Sequence, residues 1–289
     1  MDHNFSRPAN VGDAILVDEV GIETGLYGPY HLRTMYQPVY SSRPEGLVPS
    51  GVEGLVRPFL EGQPIAPVEF LNDVPVEDRL FIESMCRALH LRNHRNIGVE
   101  GLDLYFHYDP RFHLGPDWDL GRIESMVERL YEIELDPRLL ICEISEDCDT
   151  GLLAEVAGEM HRHGMRIAMK DFGSGDANLA RVDVLQPEIV KLDGPWYRRI
   201  CELETAARLL SALADALRRE NRKLLISGIE SIDQLRTALE TGADLLQGYL
   251  LGVPKLAGTY FEMDPIRAET LTAPDENVVP LFSHRKSPS

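Results

Sequence analysis

Short apolar runs alternate with stretches of helical periodicity along most of this 289-residue chain, and that alternation constrains the fold more than any other feature. We read strands at Leu32–Tyr40, Gly51–Pro58, Leu102–Asp109, Leu139–Glu146, Arg166–Phe172, Glu188–Gly194, Lys223–Glu230 and Leu245–Leu250. Their β-branched and apolar content suits parallel strands covered on both faces. Between them, Leu80, Ile82, Met85 and Leu89 share a helical face in Val76–Arg95, as do Ile123, Met126, Val127 and Leu130 in Leu120–Ile133. Leu152–His163 ends at Gly164, a residue free to take the left-handed turn after a helix. Ala207, Leu210, Leu213 and Leu217 line one face of Glu204–Glu220, and Ser231-Ile-Asp-Gln234 reads as a capping box for a helix stopping at Gly242.

Strand and helix in alternation predict an α/β fold with a parallel sheet. Eight strands point to a TIM-like (β/α)8 barrel, with a doubly wound open sheet as the alternative. Only the turn-rich segment Ser41–Ser50, with Pro44, Gly46 and Pro49, joins the first two strands. That is too short for a helical crossover, so the first strand should be antiparallel to the second. We divide the chain into an N-terminal extension (1–30), a barrel domain (31–256) and a C-terminal extension (257–289) ending in the polar tail Ser283–Ser289.

The net charge of −18 argues against DNA binding, which needs a basic face, but allows a small anion in a local site. Four cysteines without a CxxC pair speak against structural zinc. Neither a signal-peptide pattern nor a membrane-length apolar run is seen, so the expected location is cytoplasmic.

In a barrel of this kind the site lies at the C-terminal ends of the strands. Those ends are polar here: Glu53 and Arg57; His107 and Asp109; Glu143 and Glu146; Lys170 and Asp171; Lys191 and Asp193; Ser227 and Glu230; Gln247. Each alone has a bland reading, as a solvated carboxylate, a helix cap or a turn residue. Together they place a polar group on nearly every strand end, and gathered carboxylates suit a hard divalent cation.

Several of these segments resemble the motifs of the EAL family, bacterial domains that bind cyclic di-GMP and often hydrolyse it to linear pGpG. Tyr36-Gln-Pro-Val39 resembles the family's YQP strand, and Gly51-Val-Glu-Gly-Leu-Val-Arg57 its G-x-E-A-L-x-R, with Gly54 in place of alanine. Glu143-Ile-Ser-Glu146, Lys170-Asp-Phe-Gly-Ser-Gly175, Lys191-Leu-Asp193, Gly228-Ile-Glu230 and Gln247-Gly-Tyr249 follow in the family's order across about residues 30–255. One such motif is weak; the ordered set is specific. The resemblance implies a barrel with an antiparallel first strand, and Mg²⁺ or Mn²⁺ chemistry on a phosphodiester. It implies nucleotide contacts from Gln37, Glu53, Leu55, Arg57, Asp171, Glu230 and Gln247, and metal ligands from Glu53, Glu143 and Asp171. It also implies a homodimer contact near Gly173–Asn178.

Three departures fall on the chemistry. His107 stands where the family has a metal-binding asparagine, Lys170 where it has the first aspartate of D-D-F-G, and Ser227 where it has the proposed general base. Lys191 and Glu230 are retained. At an effective dielectric of about 20, like charges ~4 Å apart repel by roughly 4 kcal/mol, and a divalent ion doubles that. Lys170 should therefore replace a metal as internal counter-ion among Glu53, Glu143 and Asp171. A serine hydroxyl cannot serve as the carboxylate base. We therefore expect a degenerate, catalytically inactive EAL domain that needs no metal cofactor and acts as a cyclic di-GMP receptor or as a module for a signalling protein partner. The alternative is a cyclic di-GMP phosphodiesterase with an altered metal site, in which His107 takes part and Mg²⁺ or Mn²⁺ is bound.

Overall fold

The structure, a computed structural model, describes residues 7–109, 121–145, 150–173, 179–203 and 205–267. Its strands are β1 (Ile15–Val17), β2 (Glu23–Tyr27), β3 (Tyr30–Arg43), β4 (Gly46–Leu60), β5 (Gln63–Pro64), β6 (Asp103–His107), β7 (Leu140–Ser145), β8 (Arg166–Phe172), β9 (Ile189–Leu192), β10 (Lys223–Ile226), β11 (Leu245–Leu246) and β12 (Lys255–Leu256). Its helices are α1 (Pro67–Asp73), α2 (Arg79–Asn93), α3 (Gly121–Glu132), α4 (Thr150–Arg162), α5 (Leu179–Leu185), α6 (Gly194–Ile200), α7 (Ala206–Arg219) and α8 (Ile232–Glu240).

Strands β4, β6, β7, β8, β9, β10 and β11 run parallel in that order. β3 closes the barrel, antiparallel to β4 on one side and β11 on the other. The antiparallel first strand expected from the short connection is present. The connection itself is tighter than Ser41–Ser50: Arg43 pairs with Gly46, leaving a two-residue turn. Pro49 lies at a bulge opposite Tyr40, where a missing N–H costs the ladder little.

Period-two alternation sorts the barrel side chains. Val39, Tyr105, Ile141, Ala168, Ile189, Leu225 and Leu245 fill the interior. The residues between them, such as Leu104, Cys142, Ile167, Val190 and Leu224, point outward into a larger core under the helices. Helix ends follow their sequence signals. Gly164 takes φ +81° after α4, and the Ser231 hydroxyl accepts from Gln234 N while the Gln234 side chain accepts from Ser231 N.

β3 and β4 are 14 and 15 residues long, far longer than the other barrel strands, and their outer halves run past the barrel. There β1 and β2, which the sequence reading did not mark as strands, extend the sheet from β3. Leu32, Tyr27 and Tyr30 pack with Phe70 of α1 and with Ile82, Met85 and Leu89 of α2 to form a second core. Among the described residues no helix is long and apolar enough to cross a membrane.

Candidate functional site

The inward-facing parity that places Tyr105, Ile141, Ala168, Ile189 and Leu225 in the barrel also sends the residues two further on toward its mouth. Those are His107, Glu143, Lys170, Lys191 and Ser227. Glu53 and Gln37, paired across β4 and β3, join them, as does Gln247 after β11.

At the centre sits Lys191. Its Nζ donates to Glu53 Oε2 at 2.8 Å and to Glu143 Oε1 at 2.7 Å, with all three side chains at most one-tenth exposed. Gln247 Nε2 adds a hydrogen bond to Glu53 Oε2 at 2.7 Å. His107 faces the remaining oxygens, with Nε2 3.3 Å from Glu53 Oε1 and Nδ1 3.2 Å from Glu143 Oε2. The second contact is close but out of hydrogen-bond alignment, so His107 Nδ1 and Glu143 Oε2 are both buried without a hydrogen-bond partner. Burial alone would raise the Glu53 carboxyl; the charge of Lys191 and its bond from His107 instead hold it well below the usual carboxylate range. Burial would likewise lower the Lys191 ammonium, but Glu143 and Glu53 push it above its ordinary value.

Lys170 does not join that pair. It lies opposite Ser145, two residues beyond the Glu143 level, and its Nζ pairs with Asp171 Oδ2 at 3.3 Å. Asp171 follows the inward-facing Lys170, so regular alternation already leaves it outside the inward set, and its backbone is left-handed (φ +60°) within the irregularity between Met169 and Phe172. The counter-ion role expected of Lys170 across three carboxylates is thus divided: Lys170 serves Asp171, and Lys191 serves Glu53 and Glu143.

The other candidates are spread around the mouth. The Ser227 hydroxyl donates to Leu192 O at 2.7 Å. Gln37 Nε2 donates to Gly252 O at 3.2 Å. Glu230 is exposed and paired with Arg198 at 3.0 Å. Leu55 and Arg57 lie further out along β4, partly exposed. Asp193 caps α6, accepting from Trp196 N at 2.7 Å. Glu146 and most of the Gly173–Asn178 segment lie outside the described residues.

The ordered motifs on such a barrel have a counterpart in known proteins: residues 29–254 match the EAL domain. The chain belongs to the EAL domain family. It is 30% identical over 139 residues to the probable cyclic di-GMP phosphodiesterase PdeA of Escherichia coli K12, covering 47% of this chain and 18% of that protein. It is 26% identical over 246 residues to the cyclic di-GMP phosphodiesterase RocR of Pseudomonas aeruginosa, covering 81% of this chain and 59% of RocR. The match thus spans about a fifth of PdeA and somewhat over half of RocR. In fold the chain resembles the crystal structure of Bacillus subtilis YkuI in complex with substrate c-di-GMP and calcium, with a TM-score of 0.68 and 22% identity over 81% of this chain and 57% of that one.

The donors at the mouth of this EAL domain suit a metal in part. One ligand atom each from Glu53, His107 and Glu143 lies within 4.8 Å of the others, and the unpartnered His107 Nδ1 and Glu143 Oε2 lie 3.2 Å apart. An imidazole beside two carboxylates favours Mn²⁺ or Zn²⁺ over Mg²⁺. Against this, the other oxygens of both carboxylates are already bound by the Lys191 ammonium.

Proposed function

We propose that this EAL domain is a receptor that binds cyclic di-GMP without a metal and does not hydrolyse it. The observation that carries the reading is Lys170, which stands where the family has the first aspartate of D-D-F-G and sets an ammonium beside Asp171, in addition to the Lys191 that the family retains. Lys191 bridges Glu53 and Glu143, and Lys170 pairs with Asp171. A cation entering there would have to displace or deprotonate a lysine, at a cost of several kcal/mol. Ser227 supports the same reading. Its one hydroxyl proton is given to a main-chain carbonyl, and its oxygen is far too weak a base to activate water. Glu53, Gln37, Leu55 and Arg57 remain on one face to meet the nucleotide. A signalling protein partner would then read the nucleotide-bound state.

A second reading is favoured by one feature, the unpartnered His107 Nδ1 and Glu143 Oε2. In it Glu53, His107 and Glu143 hold Mn²⁺ or Mg²⁺, which would supply Lewis-acid activation of the phosphodiester, and the domain is a slow phosphodiesterase. Here Lys170 and Lys191 would steady the anionic ligand, and Gln37 would orient it.

Calorimetric titration of cyclic di-GMP, once in EDTA and once in Mn²⁺, separates the two. The receptor reading expects the same affinity in both buffers and no pGpG on prolonged incubation. Binding that appears only with Mn²⁺, accompanied by pGpG, selects the second reading. An absence of binding in both leaves a barrel kept for protein contacts.

A further inference from the structure

Beyond the barrel mouth, the face of β3 and β4 that carries Gln37 and Glu53 continues outward. Its successive cross-strand pairs are Gln37 with Glu53, Met35 with Leu55, Arg33 with Arg57, and His31 with Phe59. The opposite face of the same ribbon is covered, since Leu32, Tyr30, Val56 and Leu60 pack into the second core. The Arg33–Arg57 pair is therefore on the uncovered face, in line with the mouth.

Two arginines directly opposite each other on antiparallel strands repel, and such pairs weaken a sheet. This one is also uncompensated. Neither guanidinium has an ion-pair partner among the described residues, although the chain carries 47 acidic side chains. Arg33 instead lies over the Phe59 ring, 4.9 Å from its centroid. Stacking of that kind fixes the guanidinium plane and leaves its N–H edge free for an oxyanion. At about 3.3 Å per residue, Arg57 stands ~13 Å along the strand from Glu53. That is longer than a single phosphate and suits a ligand with more than one nucleotide unit.

We infer that Arg33 and Arg57 together bind a phosphate group of the nucleotide, so that Arg33, which lies outside the EAL motifs, is a binding residue. The inference rests on the receptor reading for the identity of the ligand, but not for the existence of the anion site. The bound phosphate offsets the repulsion between the guanidiniums, and each can donate paired hydrogen bonds to it. In an acidic protein, the pair also gives an anion a local positive target.

The test uses the full chain and two probes. Thermal unfolding in low salt is measured for wild type and Arg33→Gln, with and without pyrophosphate. Without the anion, Arg33→Gln should unfold within about 1–2 °C of wild type, because the lost repulsion and the lost stacking on Phe59 have opposite signs. Pyrophosphate should raise the midpoint of wild type and leave Arg33→Gln nearly unmoved. Equal rises in both proteins overturn the arginine pair as an anion site. Cyclic di-GMP is then titrated in EDTA. A loss of about tenfold in affinity in Arg33→Gln, partly recovered in Arg33→Lys, supports Arg33 as a nucleotide contact. Equal affinity of wild type and Arg33→Gln overturns it. If wild type does not bind cyclic di-GMP, the receptor reading fails, and the pyrophosphate result alone decides whether the pair is an anion site for another phosphorylated ligand.

Discussion

Two regions of this molecule gather the same donors, two carboxylates and a histidine, and differ in what neutralises them. At the barrel mouth, Glu53, His107 and Glu143 come from three strands, and the neutralising charge is Lys191, itself buried. On the outer helices, Glu124 of α3 and Glu159 of α4 pair with Arg162, whose side chain is 60% exposed, and Glu159 also meets His163 just after α4. Burial makes the first arrangement obligatory and the second optional. A buried carboxylate pair without its cation has no water to turn to, whereas in the outer cluster Glu124 is exposed and the buried Glu159 keeps His163 as a second partner. The donor set alone therefore says little; the depth of the cation decides how much the fold depends on it.

The largest effect expected from that contrast follows Lys191→Met. It leaves Glu53 and Glu143 buried without their shared cation, and should cost about 3–5 kcal/mol of stability if both stay ionised. Part of that loss is avoided if one carboxylate takes up a proton, so denaturant midpoints should recover in the variant as pH is lowered. A midpoint in Lys191→Met close to that of wild type at neutral pH would mean that the bridge does not hold the mouth together.

Acid titration of the wild type gives the complementary measurement. The Glu53 carboxyl is held well below its unfolded value of 4.5. Its contribution is therefore complete above about pH 4.5 and is lost as pH falls through the depressed native value. In Lys191→Met the chief influence lowering that carboxyl is gone and burial is left to raise it, so taking up a proton as pH falls relieves the variant's penalty instead of removing a contribution. Urea midpoints followed from about pH 7 to about pH 3 should show the two curves converging in acid. Parallel curves would show that Glu53 is not linked to Lys191.

Much of this arrangement was legible in the sequence, because period-two alternation decides which side chains face inward. Any strand containing Tyr105, Ile141 or Ile189 in the interior must also direct His107, Glu143 or Lys191 to the mouth. What alternation does not give is reach. Lys170 and Lys191 share the inward parity, and only the register that sets Lys170 opposite Ser145, with the irregular backbone at Asp171, assigns each to its carboxylate. The N-terminal strands were missed for a similar reason. β1 is three residues long with Leu16 and Val17 about half exposed, so it carries no burial pattern to read. The Pro44–Pro49 region looked like one loop because proline marks turns and bulges alike.

Gly54, the one motif position that replaces alanine with glycine, has a structural explanation and a mid-sized prediction. A Cβ there would lie 2.7 Å from His90 Cγ and 2.8 Å from His90 Cβ. His90 is buried in the α2 packing and meets Thr34 Oγ1 at 3.1 Å. Burial lowers its pKa to about 3, with the nearby His107 adding to the effect, so it is neutral across the working range. Gly54→Ala should cost about 1–3 kcal/mol through this overlap. Adding His90→Ala should remove the overlap, so the double variant should lose less than the sum of the two single variants. Additive losses would detach the glycine from the histidine.

The smallest effect is expected at the outer cluster, and it is what makes the comparison decisive. Burial would raise the Glu159 carboxyl, but its bonds from Arg162 and His163 hold it below the usual range. Arg162→Met removes the guanidinium, yet His163 Nε2 remains 2.9 Å from the buried Glu159 Oε1, and Glu124 is exposed to solvent. Its denaturant midpoint at neutral pH should fall only slightly, because Glu159 keeps His163, while Lys191→Met under the same conditions is strongly destabilised. If Arg162→Met instead approached the loss of Lys191→Met, depth of the cation would not be the governing variable. The stabilisation at the mouth would then have to come from the hydrogen-bond geometry of Glu53 and Gln247 rather than from buried charge.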